Sequence, residues 1–293
     1  MRTITIVATG PQVLVQDLGR PGFAHLGVPP SGALDGPALR LANRLVGNAE
    51  SLAGLEILLG GLRLRASSSC VVAVTGPSTP VTVDGRQRGT HQPIYLSTGD
   101  ELLLGQPVDG LRNYLAVNGG IAVEAELGSR STDVLSGIGP AAVQAGEVLP
   151  LGEPQGPAAG ADELAAGAVP TELTLPVLLG PREDWFDDPA GQLLAGTWRV
   201  STESNRIGSR LTGPALRRRA EYEGRELPSE PVVTGAVQIP ANGRPVVFLA
   251  DHPTTGGYPV LGVVPAEDLA ALAQVRPGTV VLLRPVQSWY SDS

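Results

Sequence analysis

The sequence contains no lysine: all 21 of its basic residues are arginine, set against 29 acidic residues for a formal net charge of −8. That absence removes a Schiff-base lysine, a phosphate-loop lysine and a biotin-carrying lysine from the chemistry of these 293 residues. An acidic chain whose largest basic cluster is Arg217, Arg218 and Arg219 is also a poor partner for a nucleic-acid backbone. The single cysteine, Cys70, excludes an internal disulfide and a multi-cysteine zinc site. Its setting, SSSCVVAV, reads as the start of a buried strand carrying an inert thiol. The three histidines, His25, His91 and His252, lie far apart with no second ligand at helical spacing, so no metal site is expected. No apolar run approaches the ~18 residues of a membrane span, and the alternating start MRTITIVATG does not read as a signal peptide. A cytoplasmic protein is expected.

Familiar nucleotide and nucleophile motifs are missing as well. There is no GxxxxGK[ST] and no GxSxG elbow, so a nucleotide would have to be held by arginines, backbone amides or a partner chain. Gly137 to Ala142 fits a relaxed dinucleotide fingerprint, but Pro140 and Gly146 leave no room for the helix that must follow it.

What is present points to β-structure. Thirty-eight Gly and 27 Pro, with only 4% aromatic and 17% charged residues, favour short strands joined by tight turns. The 42% hydrophobic content can supply a sizeable core. Strands are expected over Thr3 to Ala8, Pro11 to Leu18, Leu62 to Arg65, Cys70 to Thr75, Val81 to Val83, Pro93 to Leu96, Glu101 to Leu104, Leu111 to Val117 and Leu173 to Leu179. The run Leu52 to Leu59 fits either helix or strand. One clear helix begins at Pro37, with Asp35 and Gly36 as cap candidates and Gly47 at its end. Its Leu39, Ala42, Leu45 and Val46 share a face opposite Arg40 and Arg44. The expected class is mainly β with a few short helices.

From Gly152 to Pro170 the chain turns to Gly, Ala and Pro. The expected division is a subdomain over 1–155 containing the inserted helix, a linker over 156–171 and a second subdomain over 172–293. Phrases recur across that boundary. Arg206-Ile-Gly208 echoes Arg20-Pro-Gly22, GPALR occurs at Gly36 to Arg40 and again at Gly213 to Arg217, and Asp84-Gly85-Arg86 echoes Asn242-Gly243-Arg244. A diverged internal duplication would explain them, as would chance repetition of short phrases in a Gly-rich chain.

Two stretches concentrate chemistry. Val15 to Asp35 places Asp17, Gly19, Arg20 and Gly22 among prolines that fix φ, which makes a shaped loop around one arginine. Val246 to Gly262 delivers Asp251 to a strand end, followed by Thr254, Thr255, Gly256, Gly257 and Tyr258. Carboxylate, hydroxyl, amide and phenol groups at a strand end can hold a polar ligand, or serve only their own turn. Further polar groups are Ser129 to Asp133, Asn205-Arg206 with Arg210, and Ser229-Glu230. Arginine forks clamp carboxylate or phosphate, and Asp or Glu can act as a general base.

These residues carry a resemblance. QDLGRPGFAHLGVPPSGALD, NRLVGNAESLAGLE, NYLAVNGGI, LGSRSTD, LLGPREDWF, SNRIGSRLTG and SEPVVTGAVQIPANGRPVVFLADHPTTGGYPVLG resemble, in the same order, the family named for allophanate hydrolase subunit 2. That family includes KipA, the C subunit of prokaryotic 5-oxoprolinase and part of the carboxyltransferase region of urea carboxylase. The resemblance implies two cyclophilin-like β-barrel subdomains, a stable complex with a KipI-like B subunit and, for the oxoprolinase members, a LamB/YcsF-like A subunit.

The activity implied first is ATP-dependent opening of 5-oxo-L-proline to L-glutamate, with ATP shared with the partner subunits. The alternatives are a carboxyltransferase subunit that uses biotin carried in trans, and a non-catalytic KipA-type regulator of a KipI-like kinase inhibitor. A chain of this length without lysine fits the first best. His252-Pro253 after Asp251 departs from the longer polar residue usual there. On this reading the catalytic candidates are Asp17, Arg20, Glu230 and Asp251. Asp17, Glu230 and Asp251 would handle protons, and Arg20, Arg130, Arg206 and Arg210 would carry charge. Arg130, Asn205, Arg206, Arg210, Thr254, Thr255 and Tyr258 are the substrate-binding candidates.

Overall fold

The structure, a computed structural model, describes residues 2–160, 164–165 and 167–286. By contacts the chain separates into two units. The first holds the residues up to Arg20 together with Ser31–Val169; the second holds Pro21–Pro30 and the chain from Pro170 onward. Positions 161–163 and 166 of the expected linker lie outside the described residues.

The first unit is built from two antiparallel sheets. One has six strands in the order Val148–Pro150, Thr3–Ala8, Arg63–Ala66, Glu101–Leu104, Val81–Val83 and Arg86–Arg88. The other has five, in the order Gln12–Gln16, Gly54–Leu58, Arg112–Val117, Cys70–Thr75 and Ile94–Leu96. The sequence alternates as a two-faced sheet requires, and Ile4, Ile6, Val13, Val15, Leu55, Ile57, Val72, Val74, Leu115 and Val117 fill one shared core. The ambiguous run Leu52 to Leu59 resolves as strand, because Gly54–Leu58 pairs on both sides.

Helix α1, Gly36–Leu45, covers the outer face of the five-stranded sheet. Its Ala42 and Leu45, with Val46, pack on Ala73 and Ala116, the small residues that let a helix approach a strand pair. Burying each leucine of this face contributes about 1.5–3 kcal/mol. Asp35 caps the helix by accepting from the Ala38 N–H at 3.0 Å. Arg112–Val117 is thus buried at every position, between core and helix.

The second unit is a closed barrel of seven strands: Glu172–Leu179, Val260–Val263, Ala236–Gln238, Val246–Phe248, Gly208–Thr212, Trp198–Val200 and Val280–Val286. Neighbours run antiparallel except at the closure. There the first and last strands pair in parallel, from Glu172 with Val280 to Leu178 with Val286. Closure leaves no open sheet edge. Leu175, Val177, Trp198, Leu211, Val237, Val247, Leu261, Val281 and Leu283 are buried here. Two short helices, α2 (Pro189–Ala195) and α3 (Ala266–Leu272), complete the unit.

The echoed phrases behave differently in the two units. Both turn phrases join antiparallel strand pairs, Val81–Val83 with Arg86–Arg88 and Ala236–Gln238 with Val246–Phe248. GPALR is helical at its first occurrence and irregular at its second, where Gly213 takes φ +156°. Asp35 caps the first copy, whereas the second follows directly from a barrel strand.

Candidate functional site

In the first unit the site is organised by Asp17, at the end of the strand Gln12–Gln16. Its Oδ1 accepts from the Gly19 N–H at 2.8 Å and from the Ser129 and Ser131 hydroxyls at 2.6 Å each. Its Oδ2 accepts from the Arg130 N–H at 2.7 Å. The Asp17 N–H donates to Ser131 Oγ at 3.0 Å, and its carbonyl accepts from the Ala33 N–H at 2.9 Å. The carboxylate therefore ties the Gly19–Arg20 turn to the segment 129–131, and the Asp17 carbonyl adds Ala33. Charge-assisted bonds of this kind are roughly twice as strong as neutral ones.

Arg20 is 2% exposed and forms no ion pair among the described residues. Its Nη2 donates to the Ser131 carbonyl and its Nε to the Glu126 carbonyl at 3.4 Å. A side chain at Gly139, φ +86°, would overlap the Ser131 carbonyl and come within 3.1 Å of Arg20 Nη2, so glycine is needed there. Arg130 is half-buried and donates from Nε to the Val123 carbonyl at 2.7 Å.

Three buried atoms in this segment have no hydrogen-bond partner among the described residues: Gln16 Oε1, Arg20 Nη1 and Thr132 Oγ1. Gln16 and Arg20 both donate to carbonyls of the Ser131–Thr132 pair. A buried polar group left without a bond costs about 1–3 kcal/mol, so each of these atoms calls for a partner or a role.

The sequence reading missed a second buried cluster in this unit. Glu56, 3% exposed, lies 3.6 Å from Arg112 Nε and accepts from the Tyr114 hydroxyl at 2.8 Å and the Leu34 N–H at 3.0 Å. The Tyr114 hydroxyl accepts from the Asp35 N–H at 2.8 Å. Burial, then the nearby Glu56 and Asp35 charges, hold the Tyr114 hydroxyl well above its ordinary pKa. Glu56 and Tyr114 thus hold the Leu34 and Asp35 N–H groups, directly after the Ala33 N–H held by Asp17. The available signal was a lone glutamate inside the apolar run Leu52 to Leu59.

In the second unit Arg206 and Asp251 meet. Nε donates to Oδ2 at 2.8 Å and Nη2 to Oδ1 at 2.9 Å, with the two side chains 2% and 0% exposed. The Asp251 N–H also donates to the Arg206 carbonyl at 3.1 Å. The other members of the Asn205 group stand elsewhere. Asn205 Oδ1 accepts from the Ile207 and Gly208 N–H groups at 2.9 and 3.3 Å, which shapes its own turn. Arg210 is exposed and lines a small cleft with Glu203 and Arg244.

Glu230 joins the Thr254 to Tyr258 loop through a two-stranded ladder. Glu230 pairs with Gly256 and Pro231 with Thr255, and the Val232 N–H donates to the Thr254 carbonyl at 3.0 Å. Arg182, absent from the candidate set, donates to Glu230 Oε2 from Nε at 3.0 Å and to Oε1 from Nη2. That fork holds the Glu230 carboxyl below its usual range. Thr255 and Tyr258 are exposed, and the Tyr258 carbonyl accepts from Gln238 Nε2 at 3.1 Å. His252 is turned inward, its ring nitrogens 2.7 Å from the Pro253 carbonyl and 3.1 Å from Thr234 Oγ1. The second unit thus gathers Glu230, Thr254, Thr255 and Tyr258 on one accessible loop pair, and Arg206 and Asp251 in a separate buried pair.

Comparison with known proteins extends over nearly the whole chain. Residues 26–285 match the family described as carboxyltransferase domain, subdomain A and B. The chain is 37% identical over 282 residues to the C subunit of 5-oxoprolinase from Escherichia coli (strain K12), covering 94% of this chain and 88% of that protein. It is 32% identical over 306 residues to urea amidolyase of Lachancea kluyveri, covering 96% of this chain but 17% of that one. Among solved structures, TTHA0988 superposes with a TM-score of 0.86 at 36% identity, over 97% of this chain and 56% of that one. The urea amidolyase of K. lactis gives 0.89 at 30% identity, over 97% and 19%.

Proposed function

The chain belongs to the carboxyltransferase-domain family, subdomains A and B, and from that premise we propose that it is the C subunit of a 5-oxoprolinase. The observation that carries the reading is the reciprocal match to the C subunit of the Escherichia coli 5-oxoprolinase, at 37% identity over 94% of this chain and 88% of that protein. In the proposed reaction a complex with KipI-like and LamB/YcsF-like partners opens 5-oxo-L-proline to L-glutamate at the expense of ATP.

A lactam amide is a poor electrophile, and phosphorylation of its oxygen makes the carbon open to attack by water. Such chemistry asks for fixed positive charge around phosphoryl oxygens and for a carboxylate that handles protons. With no lysine in the sequence, that charge comes from guanidinium groups and backbone N–H. In the first unit Arg20 is the buried guanidinium with an unpartnered Nη1, and Asp17 is the carboxylate that positions it. In the second, Glu230 is the accessible carboxylate, ionised beside Arg182, next to Thr254, Thr255 and Tyr258. Asp251, enclosed by Arg206, acts through the loop it supports.

A second reading, carboxyl transfer from carboxybiotin carried in trans, is supported by the TM-score of 0.89 to urea amidolyase. The deciding experiment combines this chain with its candidate partners and follows glutamate release from 5-oxoproline with and without ATP. Urea plus carboxybiotin forms the rival assay. ATP-dependent glutamate release that requires this chain is expected. A verified complex that turns over only the rival substrates would overturn the oxoprolinase reading.

A further inference from the structure

The residues that leave the barrel strand Gly208–Thr212 line, together with Tyr258, a cleft of about 890 Å³. That volume is in the range of small-molecule sites. Arg217, Arg218 and Arg225 all contribute to its walls. In a chain of net charge −8 these three guanidinium groups make no ion pair among the described residues, whereas Arg44, Arg65, Arg112, Arg182 and Arg206 each face a carboxylate.

Two of the three are held in place without a carboxylate partner. Trp185 and Tyr222 stack with centroids 4.5 Å apart. Arg218 lies 5.7 Å over the Trp185 ring and Arg225 lies 5.6 Å over Tyr222. Arg218 also donates to the Ile239 carbonyl at 3.1 Å and weakly to the Arg225 carbonyl at 3.4 Å. Burial pushes its guanidinium below the ordinary value, as expected for a partly desolvated cation with no carboxylate beside it.

We propose that this cleft binds an oligophosphate, the phosphate tail of a nucleoside di- or triphosphate, through Arg217, Arg218 and Arg225 with Tyr258 at its rim. A single carboxylate saturates one guanidinium fork, while three guanidinium groups lining one cleft match an anion with several oxygens on linked centres. Glu223 and Glu226 line the same cleft, and a magnesium ion is typically held by one or two carboxylates together with phosphate oxygens. The inference rests on the reading above in taking the nucleotide to be the phosphoryl donor of the lactam-opening reaction.

The test is equilibrium binding of ADP, inorganic pyrophosphate and adenosine, each with magnesium, to the full chain and to its variants. ADP and pyrophosphate should bind and adenosine should not, with affinity falling as salt rises. Tighter binding of ADP than pyrophosphate identifies a nucleotide, and equal binding identifies a free oligophosphate. The R218Q/R225Q variant should weaken binding roughly ten-fold or more, and Arg244→Gln, outside the cleft, should leave it unchanged. Arg217 is exposed, so Arg217→Gln serves the same purpose if the double variant loses its fold. Absence of binding by the wild-type chain, or binding indifferent to Arg217→Gln and to a folded double variant, overturns the proposal. Turnover by the assembled complex with unaltered ATP dependence in these variants would remove the cleft while leaving the oxoprolinase reading intact. Oligophosphate binding by a chain whose complex does not open 5-oxoproline would do the reverse.

Discussion

Asp251 and Arg206 form a two-pronged ion pair inside the second unit, with donor–acceptor distances of 2.8 and 2.9 Å and both side chains shielded from solvent. They are 45 residues apart in sequence, and each neutralises a charge that the barrel could not otherwise hold. Asp251→Ala removes the carboxylate that faces a buried guanidinium and should lower stability by about 3–5 kcal/mol. Denaturant unfolding measures this directly. A double variant with apolar residues of similar volume at both positions should recover much of the loss, and a double variant as unstable as the single one would show the pair is not the cause.

Asp17 should behave as the hub of its unit. In Asp17→Asn an amide replaces one oxygen, and one of the N–H or O–H donors now facing Asp17 meets a donor instead of an acceptor. The expected cost is about 2–3 kcal/mol, with faster amide exchange over 129–131 and at Gly19. Exchange confined to the chain termini would contradict this role.

Glu230 carries a pH signature. Because Arg182 holds its carboxyl below the usual range, the contribution of the pair is present above the ordinary glutamate pKa and is lost as pH falls through the lowered value. In Arg182→Gln the Glu230 titration, followed by carboxyl carbon shifts, should move up toward the ordinary range. An unchanged midpoint would mean that Arg182 does not set it.

Cys70 should be unreactive in the native protein. It is 5% exposed, and burial pushes its thiol up to about 11 from an ordinary 9.0. An acid whose folded pKa is raised stabilises the fold below its unfolded pKa, and the contribution disappears as pH climbs from about 9 toward 11. Native protein should react with a thiol reagent only after denaturant is added, and Cys70→Ala should flatten the fall in Tm across that interval. Rapid modification of the native protein would contradict the buried placement.

Much of the local structure was legible because it depends on near neighbours. The period of Leu39, Ala42, Leu45 and Val46, and a capping Asp35, announce α1 from the sequence. Alternation in Thr3–Ala8 and Cys70–Thr75 announces strands. Leu52 to Leu59 stayed ambiguous because a short apolar run fits either element until a pairing partner is known. At the sites, the polar loop 129–133 and the Asp251 loop were visible as clusters of turn-forming and charged residues. Their partners were not: Arg182 for Glu230, Glu56 for Tyr114, and the serine hydroxyls for Asp17 are long-range contacts that no local pattern encodes.

The sequence by itself determined which chemistry was available: no lysine, one cysteine, and arginines on glycine-rich loops within a strand-rich chain. These are properties of residue identity and short-range periodicity, which need no fold to be read. Only the tertiary structure decided which arginines are spent and which are free to act. Pairing of the strands Gly208–Thr212 and Val246–Phe248 brings Arg206 to Asp251, a two-residue ladder brings Glu230 to Gly256, and stacked rings hold Arg218 and Arg225 without a carboxylate. It also made one GPALR a helix and the other an irregular segment, because the conformation of so short a phrase follows the caps and strands around it.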